Sequence, residues 1–285
     1  MTPLAPGIIA LLLLAAAMHA GWNALVKAEK DRLAGLTAVV ATGGIVGLGS
    51  LAFVPPLAID AVPYLVASVV LHTVYAVLLV RSYESGDLSH VYPIARGVGP
   101  LVVALLSATL IGETLGASEA IGVALVSAGI LGIAATGAGG ERFEARPTAY
   151  AVATGVAIAS YTIVDGLGAR QTPAALSYVA WLAALEAPWL LAIAFLRRGP
   201  SLWPALRGAG FRGAVGGIVA TAGYAIAIWA FTRGAMANVA ALRETSVLFA
   251  SLIGTLWLGE GFGRRRVIAA ALVVAGLLAM NLPRE

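Results

Sequence analysis

The 285-residue chain contains no cysteine. That excludes a disulfide framework, a thiolate nucleophile and a thiolate metal site. Charge is scarce as well: Asp, Glu, Lys and Arg make up 11% of the residues, against roughly 25% in an ordinary soluble domain. So few charges cannot cover a water-facing exterior, and much of the surface must face lipid. Zinc-protease HExxH, the GxSxG elbow and the Walker GxxxxGK[ST] loop are all missing, so we expect no catalytic residues, no bound metal and no cofactor. The net charge of +4 is not gathered into a basic face interleaved with stacking aromatics, which argues against nucleic acid as a partner.

What the chain does have is apolar length. Apolar residues make up 60% of it and the mean hydropathy is +0.93. A helix needs about 20 apolar residues to cross the hydrocarbon core. Ten such runs are legible, near 5–26, 34–53, 63–82, 89–112, 118–137, 148–168, 174–196, 211–231, 238–258 and 265–282. They are too long and unbroken for the alternating segments of about ten residues that build membrane barrels. No basic residue precedes the first run, so it lacks the n-region of a signal peptide and reads as a permanent helix. Small residues recur at helix-packing distance, as in Gly43/Gly47 and Gly213/Gly217, a spacing that lets membrane helices approach closely.

An internal repeat stands out. Shifted by 147 positions, Arg96, Leu101, Leu105, Gly112 and Glu113 fall on Arg243, Leu248, Leu252, Gly259 and Glu260. Ile121 to Gly129 likewise matches Ile268 to Gly276 at six positions: Ile121, Ala124, Leu125, Val126, Ala128 and Gly129. Apolar coincidences are cheap here; the arginine and the Gly-Glu pair are not. Each copy, 1–137 and 148–285, holds five spans, and five is odd, so the second copy enters the membrane from the opposite side. The expected fold is all-α, ten transmembrane helices as two inverted five-helix repeats. In secondary transporters built this way the substrate site lies near the midplane between the halves.

Polar residues inside spans are costly and usually face the bundle interior or a wet cavity. His19, Trp22 and Asn23 share one face of the first span, His72 and Tyr75 of the third, Tyr92 and Arg96 of the fourth, and Tyr161 and Asp165 of the sixth. Tyr224 in the eighth and Arg243 in the ninth complete the candidate cavity. Each has a plainer reading. His19 and Asn23 suit inter-helix hydrogen bonds as well as ligand contact. Tyrosines also anchor at membrane interfaces; Tyr161 lies deepest and is the best pocket candidate among them. Asp165, near the end of its span, suits a solvated or pairing role better than proton coupling. Arg96 and Arg243, repeated in both halves, suit a structural clamp at least as well as binding. Glu113 and Glu260 sit in Gly-Glu turns where an acid favours the next helix N-terminus. Pro93 and Pro100 predict a kink in the fourth span.

The run Tyr92-Pro93-Ile94-Ala95-Arg96-Gly97-Val98-Gly99-Pro100, the Gly112-Glu113 turn and Gly122 to Gly129 together resemble the EamA-type domain of the drug/metabolite transporter superfamily. The second copy is similar, with Val247 where Pro100 has its match, and Ala20 to Leu25 resembles the first helix of one branch. The resemblance covers nearly the whole chain. It implies a carrier that moves a small organic solute, such as an amino acid or metabolite, by alternating access across the cell (inner) membrane. The partners are then that solute and the lipid bilayer, and a homodimer is compatible with the reading. An intramembrane enzyme or a lipid-linked carrier flippase is the alternative.

Lys and Arg in the connections are lopsided. Thirteen of them, from Lys27 to Arg266, follow odd-numbered spans, while Arg170, Arg233 and Arg284 are the three on the other face. Cytoplasmic loops carry the Lys/Arg excess, so both termini are expected outside the cytoplasm, the reverse of what the resemblance implies. A reporter fused after Glu285 should therefore read out on the non-cytoplasmic side. A cytoplasmic readout would mean a miscounted span or a failure of the charge rule.

Overall fold

The computed structural model describes residues 4–85, 88–113, 115–134, 144–258 and 264–280. Those residues form eleven α-helices and no strand: α1 (Pro6–Lys27), α2 (Arg32–Ser50), α3 (Val62–Ser85), α4 (Leu88–Leu106), α5 (Ala117–Ala134), α6 (Ala145–Arg170), α7 (Ala175–Arg198), α8 (Leu202–Phe231), α9 (Met236–Arg243), α10 (Ser246–Leu258) and α11 (Arg264–Met280). Six segments are long and apolar enough to cross a membrane, the last of which, Ala175–Phe231, contains both α7 and α8. The outer surface agrees: Phe53, Leu196 and Phe211 are each more than 80% exposed, a price in water but a gain in hydrocarbon. The protein is a multi-pass membrane protein.

Local chemistry sets the helix ends. Pro6 opens α1 where its missing N–H leaves nothing unpaired. Asp31 caps α2, its Oδ1 accepting from the Ala34 N–H at 3.1 Å. Gly199 closes α7 at φ 59°, a left-handed conformation that favours glycine. A π-helical turn, Ser107–Ile111, follows α4 and ends on Gly112 at φ 73°. The Gly259-Glu260 turn that matches it in sequence lies outside the described residues.

Two elements depart from the sequence reading. The expected ninth span is broken at Glu244 and Thr245 into α9 and α10, although no proline stands there. Helix α4, by contrast, is unbroken through Pro93 and Pro100, which a kink of the expected kind also allows. In addition, α8 starts at Leu202, nine residues ahead of the expected 211 (211 − 202). Arg207 ended the apolar run, but arginine is a good helix former whose head group reaches the polar zone while its stem stays on the helix.

Small residues set the packing. Helix α2 lies against α7 and α8, α1 against α8, α3 and α4 against α6, and α5 against α11. A Cβ at Gly217 would stand 2.5 Å from both Thr42 Cβ and the Val39 carbonyl of α2, and one at Gly47 would stand 2.6 Å from the Ala180 carbonyl of α7. At Gly276 it would meet the Gly122 carbonyl at 2.6 Å. These are backbone approaches, which cannot relax by a rotamer change. We expect Gly217→Val to lower thermal stability in detergent by about 1–3 kcal/mol, the usual cost of overpacking. Gly208→Ala in the same helix, where a Cβ meets nothing within 4 Å, should leave it unchanged or slightly raised.

Candidate functional site

A cavity of about 160 Å³ lies at the centre of the bundle, with walls drawn from α1, α2, α3, α4, α6, α7, α8 and α9. A cavity of roughly this size holds a molecule such as benzene. Eight of the eleven sequence candidates line it. His19 and Trp22 come from α1, and His72 and Tyr75 from α3. Arg96 comes from α4, Tyr161 from α6, Tyr224 from α8 and Arg243 from α9.

The aromatic wall is built by mutual contact. The His72 ring stacks on Tyr161 with centroids 4.0 Å apart and meets Tyr224 edge-on at 6.1 Å. Tyr75 approaches Tyr161 edge-on at 5.5 Å. His19 and Trp22 pack edge to face at 5.1 Å. One His72 nitrogen, Nδ1, is held by the Ser68 carbonyl at 3.0 Å and the Ser68 hydroxyl at 3.1 Å, one turn earlier in α3. That anchor fixes the ring against Tyr161.

Three candidates lie off the cavity. Asn23 donates through Nδ2 to the His19 carbonyl of its own helix at 2.8 Å, so its amide is engaged within α1. Tyr92 sits one turn before Arg96 with its hydroxyl oxygen buried. Asp165, expected in a solvated or a pairing role, is paired and not solvated: α6 continues past it to Arg170, and it is fully buried. Its carboxylate accepts the Tyr178 hydroxyl at 3.0 Å and, on the other oxygen, the Tyr224 hydroxyl. It thereby ties α6 to α7 and α8 and fixes one wall of the cavity.

The two arginines differ. Arg96 Nε stands 2.8 Å from Glu244 Oε2, with each side chain 6% exposed, and its Nη2 donates to the Ser246 hydroxyl at 3.0 Å. The Nε–H is not aligned on the carboxylate, so the contact is an ion pair and the directed bond is the one to Ser246. The guanidinium thus engages the residues on either side of Thr245, where α9 gives way to α10. Arg243 has no ion pair among the described residues. Its guanidinium lies over the rings of Tyr224 at 5.3 Å and Phe231 at 5.9 Å. Such contacts contribute about 0.5–2 kcal/mol, less than the roughly 2.5–3.5 kcal/mol that an arginine costs at a span centre.

Sequence reasoning missed Glu186, which lines the cavity from α7. The signal was available, since it is a lone acid in the apolar run Trp181 to Ile193. Glu244 was visible only as a neighbour of Arg243, while its true partner is 148 positions away (244 − 96).

Beyond the cavity, a second polar cluster joins the far ends of α4, α6 and α8. Glu113 accepts from Arg170 Nη1 at 2.8 Å and from the Met236 N–H at 2.9 Å. Arg170 also donates to the carbonyls of Phe231 at 2.9 Å and Gly234 at 3.0 Å. Glu113 does sit at a helix N-terminus, but that of α9. The start of α5 is served by Glu119, which accepts from the Gly116 N–H at 2.8 Å.

Residues 147–282 match the EamA-like transporter family. No curated protein matches the chain. A crystal structure of a protein 22% identical in sequence superimposes at a TM-score of 0.75, over 95% of this chain and 94% of that one. At that identity the likeness shows the fold alone.

The Arg96–Glu244 contact yields a stability prediction. Glu244→Gln leaves a buried guanidinium unpaired and should cost about 3–5 kcal/mol in unfolding measurements. Replacing both partners together, as Arg96→Met with Glu244→Leu, should recover most of that loss.

Proposed function

We propose, because residues 147–282 match the EamA-like transporter family, within the drug/metabolite transporter superfamily, that the protein is a secondary transporter. It moves a small organic solute, such as an amino acid or metabolite, through the central cavity by alternating access. The observation that carries this reading is the cavity itself, which draws walls from α1 to α4 and from α6 to α9 and so from both sequence repeats. Inverted-repeat carriers bind their solute at such a junction.

The helix pairings support two inverted five-helix halves, with α9 and α10 together standing for the ninth span. Exchanging the halves turns the α1–α8 contact into α6–α3, and the α4–α6 contact into that of α9 and α10 with α1; all of these are present. The exchange maps α2–α7 and α5–α11 onto themselves. Not every pair follows the pattern: α4 packs broadly on α5 where α9 barely meets α11, and α2 is interlocked with α8 while α7 makes a smaller contact with α3. Alternating access needs a second state in which that inequality is reversed. On the charge count, the face carrying Arg198–Asp31 and Arg212–Glu29 is cytoplasmic, in a cell (inner) membrane with both termini on the other side.

Purified protein in liposomes should exchange at least one member of a panel of radiolabelled amino acids and organic ions under a pH gradient. Ala220→Trp, which fills the cavity from α8, should abolish that flux while the protein still elutes as a folded species. Absence of exchange across the whole panel by well-folded wild-type protein would count against a carrier.

A further inference from the structure

The register that places Arg96 on Arg243 also places Gly97 on Glu244 and Gly99 on Ser246. Glu244 and Ser246 are the groups that hold Arg96. If the halves were alike, Arg243 would find its acid and its hydroxyl at 97 and 99, where glycine offers neither. Position 97 has no room for one either: a Cβ there would lie 2.8 Å from Leu131 Cγ and 3.3 Å from its backbone nitrogen. The partner of Arg243 is therefore missing from the place where its counterpart has one.

Arg243 stands in the cavity wall all the same. It rests on the faces of Tyr224 and Phe231, and the Tyr224 hydroxyl is in turn held by Asp165. Contact through ring faces leaves guanidinium N–H groups without acceptors, and that planar fork matches a carboxylate with two parallel hydrogen bonds. Among the other ionisable lining groups, Arg96 is already paired and the histidines are engaged with aromatic rings. The one acid in the wall, Glu186, has no ion pair among the described residues.

We propose that Arg243 is the docking point for a carboxylate on the transported solute, supplying from outside the counter-charge that the first half does not. The solute is then an organic carboxylate of about benzoate size, seated against the His72–Tyr161 stack. This rests on the carrier reading of the cavity.

The test is calorimetric titration of the full-length protein in lipid nanodiscs with benzoate, its neutral isostere benzamide, and benzylammonium. Wild-type protein should bind benzoate at least tenfold more tightly than either. Arg243→Gln should weaken benzoate roughly ten- to a hundredfold, the range for a lost charge-assisted bond, and leave benzamide unchanged. Arg243→Lys, which keeps the charge without the fork, should fall between, and each variant is to show the wild-type thermal transition. The proposal is overturned if folded wild-type protein does not bind benzoate, or if Arg243→Gln keeps the preference for it. It is equally overturned if benzylammonium binds as tightly as benzoate, a result that would assign the site to Glu186. If liposomes exchange solutes while Arg243→Gln is silent, the carboxylate assignment falls alone. Benzoate bound at Arg243 with no flux of any solute would instead sink the carrier and keep the site.

Discussion

Inside a bilayer a polar group has no water to fall back on, and it must find its partner within the protein. That constraint organises this molecule more than any packing preference. The three buried clusters, Arg96 with Glu244 and Ser246, Asp165 with Tyr178 and Tyr224, and Glu113 with Arg170 and Met236, each join separate elements of the bundle. Two of them tie the first half to the second. Small residues bring the helices close, but dispersion between apolar helices is nearly matched by lipid. The polar clusters are what make one arrangement of those helices much better than its neighbours. They also give the unpaired groups their meaning, since beside three matched clusters Arg243 and Glu186 stand in the cavity wall with no ion pair among the described residues.

Much of the architecture was legible because the same constraint writes itself into the sequence. Long apolar runs, scarce charge and a basic bias in alternate connections follow directly from the need to sit in lipid. The candidate residues were found by asking which polar side chains lay inside spans, and eight of them do line one cavity. The rule failed where it was applied unevenly: Glu186 satisfies it as fully as Arg96. For Asp165 the sequence left a solvated and a pairing role open, and the carboxylate is buried and paired with two tyrosine hydroxyls. Pairings were not legible at all. Arg96 meets Glu244 through the fold, and no local pattern announces a contact across 148 positions. The break between α9 and α10 was not legible either, since no proline or glycine marks it, while the prolines that predict a kink sit in a helix that continues.

On the two-halves reading, function concentrates where the halves differ. Two identical halves in opposite orientation would match every buried group in one with its equivalent in the other, and would pack both faces alike. Such a body has no reason to prefer one open state, and nothing at its centre for a solute to complete. This chain departs from that limit in three places that converge on the cavity. The span carrying Arg96 is continuous and that carrying Arg243 is broken; α2 grips α8 more closely than α3 grips α7; and the residues that hold Arg96 correspond to glycines in the other copy. The first lets Arg96 enter the opposite half, the second leaves one pair of helices looser than its counterpart, and the third leaves a charge at the junction. A ligand can shift a two-state equilibrium only through contacts that differ between the states. A charge seated on α9, between helices whose mutual grip is unequal, is placed to make such a contact.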